Sequence, residues 1–205
     1  MPGREDWWNA AATESDDDLR ERILTGFKSG KPFTPYAPTI GWPPVESVLD
    51  FGCGVGRSFP YLRSVARRIS GFDLPPMIAR CRALGTEQVS RLSSDWVDVR
   101  TRRYDLVFAS LVLQHIDTAE CRRYLTDFAG IAPCVYLLTR TRTDFDAVML
   151  DLVAESGLYH ASACRIVDHD PATHQLRVIA DRTFDAARES PDDVHYEVLL
   201  RSRIP

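Results

Sequence analysis

Lysine is almost missing from this 205-residue chain: Lys28 and Lys31 are the only two among 25 basic residues. Arginine supplies the rest, and 29 acidic residues leave a formal charge of −4. That balance gives no general attraction to nucleic acid. No apolar run approaches the ~20 residues needed to cross a membrane as a helix. Residues 1–15 are polar and acidic and lack the apolar core of a signal peptide. No C-x-x-C pair is present either. The five cysteines, Cys53, Cys81, Cys121, Cys134 and Cys164, are scattered and odd in number, without zinc-ligand spacing. In apolar surroundings each behaves as a small hydrophobe. A cytoplasmic protein with no metal site, no membrane partner and no nucleic-acid partner is the expectation.

Two regions differ in character. Residues 1–44 carry Trp7, Trp8, an acidic cluster at Asp16–Asp18, a short amphipathic stretch Leu19–Phe27 and five prolines between Pro32 and Pro44. The prolines leave no room for a regular helix. This segment reads as a helical or irregular lid whose aromatics, Phe33, Tyr36 and Trp42 included, adhere to a core spanning residues 45–205. Within the core, strand-like and helical patterns alternate, which argues for an α/β fold with a mostly parallel sheet covered on both faces. The strand-like runs are Ser47–Asp50, Ile69–Asp73, Gln88–Leu92, Asp105–Ala109 and Cys134–Thr139. Helical patterns fall at Ser58–Arg68, Pro75–Leu84 and Thr118–Ile131, and again at Asp144–Ser156, closed by Gly157. Ala161–Asp168 and Gln175–Ala180 read as strands around a turn at Asp170–Thr173, and Val194–Ser202 as a last, antiparallel strand.

The most informative segment is Val48-Leu49-Asp50-Phe51-Gly52-Cys53-Gly54-Val55-Gly56-Arg57. A buried strand, a glycine turn and a helix bring backbone N–H groups to a ligand at the carboxyl edge of a sheet. A Cβ would block both the turn and the ligand's approach. A dinucleotide fingerprint requires G-x-G-x-x-G. Here the third glycine, Gly56, comes one residue early and Arg57 holds the fingerprint position; the G-K-[ST] ending of a phosphate loop is missing. Three further signals fall at the ends of the following strands. Asp73 is placed to accept from ribose hydroxyls. Ser94-Asp95-Trp96 offers a carboxylate for an exocyclic amine and an aromatic face for a purine. The fourth strand runs into Ser110-Leu111-Val112-Leu113-Gln114-His115-Ile116. Each residue has a plainer reading: Asp50 fixes the turn, Asp73 caps a helix, Asp95 is a solvated loop carboxylate and Trp96 is core.

This ordered set, over roughly residues 45–140, resembles the class I S-adenosylmethionine-dependent methyltransferases, and its leader Trp8-Asn9…Ile23-Leu24-Thr25-Gly26 resembles a bacterial small-molecule branch. The resemblance implies a Rossmann-like, seven-stranded sheet, mostly parallel with an antiparallel C-terminal strand. It implies S-adenosyl-L-methionine as cofactor and S-adenosyl-L-homocysteine as product. It places cofactor contacts at Asp50, Phe51, Gly52, Cys53, Gly54, Gly56, Asp73, Leu74, Met77, Ser94, Asp95, Trp96, Ser110 and Gln114.

Methyl transfer is an in-line displacement for which the cofactor brings the electrophile, so the protein chiefly holds the reacting atoms in line. A hydroxyl acceptor must also lose a proton. His115, with an unperturbed pKa near 6.5, is the candidate general base; otherwise it lines the acceptor pocket or bonds the start of the next helix. The aromatic lid suits a small organic or glycosidic acceptor. An Asn/Asp-Pro-Pro-aromatic motif for nucleobase amines is missing: that position reads Ala109-Ser110-Leu111-Val112. Pro133-Cys134, a superficial match to a cysteine nucleophile, lies in the fifth strand, where core packing explains it. His169 and His174 flank a turn and suggest no metal site. Small-molecule O-methylation is the leading reading; the alternatives are a non-methylating S-adenosylmethionine-binding protein and a nicotinamide-dependent oxidoreductase. Oligomeric state is not legible.

Overall fold

The computed structural model describes residues 13, 37–84, 89–140, 151–169, 176–182 and 195–202. The expectations for Trp7, Trp8, Leu19–Phe27, Phe33, Tyr36, residues 144–150, the Asp170–Thr173 turn and His174 lie outside the described residues. The core begins with β1 (Val45–Phe51), α1 (Phe59–Val65), β2 (Ala66–Phe72), α2 (Pro75–Ala83), β3 (Arg91–Ser93) and α3 (Trp96–Arg100). It continues through β4 (Leu106–Ser110), a single 3-10 turn (Leu113–His115), α4 (Thr118–Ile131), β5 (Cys134–Arg140), β6 (Leu158–His169), β7 (Leu176–Arg182) and β8 (His195–Ser202). Residues 151–155 are helical, and Gly157 follows at φ +85.

All eight strands form one sheet in the order β3-β2-β1-β4-β5-β8-β6-β7. β1 pairs in parallel with β2 and β4, β2 with β3, and β4 with β5. β8 enters antiparallel between β5 and β6, as expected of the last strand. The sheet has eight strands where seven were implied, because β7 folds back on β6 as an antiparallel edge.

Alternation along each strand divides the core. Leu49, Phe51, Val107, Val135 and Leu137 face α4, which presents Cys121, Leu125 and Phe128 on one stripe. Val48, Leu106, Phe108, Tyr136 and Leu138 face the layer built by Phe59, Leu62, Ile78 and Cys81. Both faces are therefore buried, as a parallel sheet requires.

Two boundaries depart from the sequence pattern. The helix expected over Ser58–Arg68 stops at Val65, and Ala66 turns extended (φ −135, ψ 141) to open β2. The exposed Arg67 and Arg68 then lie 3.9 and 3.5 Å from Glu46 on the neighbouring strand, ion pairs a helical path would forgo. Asp95, whose plainer reading was a solvated loop carboxylate, caps α3 by accepting from Val97 N at 2.9 Å, and Trp96 is the first residue of that helix. The third strand is Arg91–Ser93, and Gln88 lies outside the described residues.

Candidate functional site

The glycine turn leaves the carboxyl end of β1 with Gly52, Gly54 and Gly56 at φ +73, +55 and +87, the left-handed region that L side chains rarely adopt. Gly52 has a second reason to lack a side chain: a Cβ there would lie 2.3 Å from Val112 Cγ2, on the loop after β4. Val112 follows Leu111, a non-glycine residue at φ +58 whose N–H donates to Leu138 O at 2.7 Å. The loop after β4 is thus seated on the glycine turn. At Gly54 a Cβ would meet only Met77 Cε, at 3.8 Å, so the turn has open space on that side, and Met77 closes it from α2.

Asp73 joins the turn to β2. Its Oδ2 accepts from Gly54 N at 2.6 Å and its Oδ1 from Leu74 N at 2.7 Å. Burial in the cleft raises its pKa to about 6, although the two backbone donors pull it down. Beneath it, Asp50 is 2 % exposed, and its Oδ2 has no hydrogen-bond partner among the described residues. Burial first, then the neighbouring Asp73, then Cys81 push its carboxyl well above the usual range. A buried carboxylate oxygen without a donor is costly. Two acids at one sheet edge fit a ligand that brings hydroxyl donors and positive charge.

The other candidates divide. Phe51 is buried, stacks on Phe72 at 5.3 Å and meets Trp96, Tyr124 and Phe128 edge-on, so it supports the turn from below. Cys53 lies inside the core; a hydrogen bond with Cys81, then burial, then Asp73 and Asp50 raise its thiol pKa, which makes it unreactive. Leu74 heads α2 beside Asp73 and packs against Val55 and Met77. Ser94 and Asp95 are exposed at the end of β3. Trp96 is packed by four rings, Phe51, Phe72, Tyr124 and Phe128, at centroid distances of 5.0–6.0 Å, and its Nε1 donates to Asp127 Oδ2 at 2.7 Å. The indole is half-buried and packs against the core through these rings. Ser110 ends β4 half-buried. Gln114 and His115 lie on the 3-10 turn, half-buried, with Gln114 Nε2 and His115 Nε2 3.4 Å apart.

Three contributors carried no signal in the sequence. Val112 and Asp127 act through contacts distant in the chain. Glu197 on β8 is fully buried; its Oε1 accepts from Thr39 N at 2.6 Å, Ile40 N at 3.2 Å and Tyr136 OH at 2.9 Å, and its Oε2 from the Thr39 hydroxyl. Arg165 donates to Thr39 O. These bonds hold the chain entering the core, and Trp42 two residues on packs against Phe108 and Tyr136 at 6.1 and 5.2 Å. Among the described residues no cluster of His, Cys, Asp and Glu could hold a metal ion, and no helix is long and apolar enough to cross a membrane.

Residues 49–132 match the family model described as a methyltransferase domain. No curated protein matches the chain. Among solved structures, the N-methyltransferase NodS from Bradyrhizobium japonicum WM9 in complex with S-adenosyl-L-homocysteine superposes with a TM-score of 0.60 at 14% identity, over 98% of this chain and 99% of that one. Magnesium protoporphyrin IX methyltransferase from Synechocystis PCC 6803 with bound S-adenosylmethionine gives 0.54 at 16% identity, covering 78% and 71%. The mitomycin 7-O-methyltransferase MmcR gives 0.52 at 16% identity, covering 77% and 49%. Residues 49–132 thus match a methyltransferase domain, and the fold as a whole is similar to that of class I methyltransferases.

Proposed function

We propose that the protein binds S-adenosyl-L-methionine across the carboxyl edge of β1, β2 and β3 and methylates a small-molecule acceptor, most simply at oxygen. The observation that carries this reading is the coupled pair of acids. Asp73 is fixed on the Gly54 and Leu74 amides with its oxygens at the cleft, and Asp50 lies beneath it with an oxygen lacking a donor. Asp73 takes the ribose hydroxyls, Asp95 the adenine amine, and Asp50 faces the cationic end of the cofactor. The bound cofactor supplies a methyl group on a sulfonium, the electrophile the chain itself lacks.

The chain's own task is positioning and proton removal. Holding the acceptor in line contributes about 7–11 kcal/mol of barrier lowering in well-oriented systems. His115, at the end of the 3-10 turn after β4, takes the acceptor proton as general base, a contribution of about 10²–10⁴-fold. Ser110 and Gln114 border the methyl-transfer side. Residues 1–44 form a lid over a core of residues 45–205, with Trp42 as its inner anchor. A small acceptor and a cytoplasmic setting agree with the acidic balance and the cysteine pattern.

Calorimetric titration with S-adenosylmethionine, S-adenosylhomocysteine and NAD tests the cofactor. Micromolar binding of the first two is expected; NAD binding without sulfonium binding would overturn the reading. An acceptor screen that follows S-adenosylhomocysteine release then identifies the substrate and separates a methyltransferase from a non-methylating binder.

A further inference from the structure

We propose that Asp127, on α4, is a positioning residue for adenine recognition, acting through Trp96 on the Asp95 carboxylate. The proposal rests on the cofactor reading above and deepens it.

Two hydrogen bonds hold Asp95: its N–H donates to Ser93 Oγ at 3.2 Å and its Oδ1 accepts from Val97 N at 2.9 Å; Trp96 follows it directly in the chain. Oδ2 makes no hydrogen bond among the described residues, and the residue is exposed. One oxygen is therefore committed to the helix cap and the other is open to a donor from a ligand. Where that oxygen stands depends on α3, a helix of five residues, too short to hold its place by its own hydrogen bonds.

Asp127 secures α3 at both ends. Its Oδ2 accepts from Trp96 Nε1, at the first residue, at 2.7 Å, and its Oδ1 lies 4.0 Å from Arg100 Nη1, at the last. Tyr124 and Phe128, on either side of Asp127 in α4, pack on the same indole at 5.0 and 6.0 Å. The ring contacts are edge-on, and a short, charge-assisted hydrogen bond fixes the indole's orientation further. Trp96 is then the arm by which α4 sets Asp95, not the platform on which a purine stacks.

The test uses the full chain and two ligands, S-adenosyl-L-homocysteine and S-inosyl-L-homocysteine, in which a carbonyl oxygen replaces the adenine amine. Calorimetry on the wild type is expected to favour the adenine ligand by about 10-fold or more, since the inosine ligand leaves Asp95 facing an acceptor. In Asp127→Ala the preference is expected to shrink to about 2-fold while inosine-ligand affinity stays within about 3-fold, a coupling of the size seen between contacting residues. Asp127→Asn keeps an acceptor for the indole N–H and restores most of the preference. Asp95→Ala loses the preference too, and combining it with Asp127→Ala removes nothing further. Equal weakening of both ligands in Asp127→Ala marks a merely structural residue and overturns the proposal, as does an unchanged preference. Should Asp127→Ala fail to fold, Trp96→Phe removes the same bond from the other side, and retention of the preference there overturns it equally. A wild type that binds neither ligand sinks the cofactor reading itself; one that binds both equally removes Asp95 from adenine recognition, and this proposal with it.

Discussion

Gly54 N donates to Asp73 Oδ2 at 2.6 Å, so the glycine turn after β1 and the acid at the end of β2 form one unit. Because a half-buried carboxylate accepts that bond, its charge state is tied to the stability of the fold. Burial holds the Asp73 pKa at about 6, above the ordinary 3.8. A carboxyl with a raised folded pKa stabilises the fold below its unfolded pKa, and that stability is lost as pH rises through the folded one.

The ligand-free wild type is therefore expected to gain stability relative to Asp73→Asn as pH falls from about 7 to 5, where Asp73 takes up its proton. S-adenosylhomocysteine affinity should run the other way. Ribose hydroxyls donate to the ionised form, so affinity falls below about pH 6, by at most tenfold per pH unit for one group. Calorimetry and thermal melts over this range check both signs. An affinity that stays flat through pH 6 removes Asp73 from ribose recognition.

The contact between Gly52 and Val112 predicts a steric cost. In Gly52→Ala the new Cβ meets Val112 Cγ2 at 2.3 Å on a backbone at φ +73, and a loss of about 1–3 kcal/mol is expected from overpacking and strain. Gly52→Ala combined with Val112→Ala removes Cγ1 and Cγ2 but leaves Val112 Cβ 2.6 Å from the new methyl, so only part of the overpacking and none of the backbone cost should be recovered. Urea unfolding of the two single variants and the double variant measures this coupling; strict additivity would show that the contact carries no strain.

Glu197 offers a sharper contrast. Thr39 N, Ile40 N and Tyr136 OH all converge on its Oε1. Glu197→Ala orphans these donors inside the core and should cost on the order of 3 kcal/mol. In Glu197→Gln the retained oxygen serves the same three donors, while the new NH2 faces the Thr39 hydroxyl, which can rotate to accept. A loss under about 1 kcal/mol is expected there. Hydrogen exchange at the Thr39 and Ile40 amides should accelerate in the alanine variant alone. Equal costs in the two variants would mean that the charge, not the acceptor geometry, matters.

What the sequence made legible was local. The glycine turn, Asp73 and the pair Gln114-His115 follow directly on strands whose apolar runs announce them, so chain order alone placed them at one sheet edge. The helix opening at Pro75 was legible for the same reason. Trp96 was not, because what settles its role is Asp127, 31 residues downstream, and the rings around it. Glu197 lies 158 residues from Thr39, and in sequence it is only one polar residue in an alternating strand. The break between α1 and β2 was hidden too. Val65 and Ala66 continue a helical apolar spacing, and pairing along β1 decides against it.

His115 carries the remaining prediction. It ends the 3-10 turn after β4, half-buried, with its Nε2 near the Gln114 amide. The loop bearing it is fixed from both sides: Val112 against the glycine turn, and Cys121 Sγ donating to Leu113 O at 3.4 Å. So constrained a loop holds the imidazole in one position, as the proposed base role requires. His115→Ala is expected to lower turnover on a hydroxyl acceptor by about 10²-fold or more while S-adenosylhomocysteine affinity changes only a few-fold. The acidic limb of the wild-type pH–rate profile should vanish in the variant. If turnover in His115→Ala matches the wild type across about pH 6–9, the proton leaves by another route and His115 only lines the acceptor pocket.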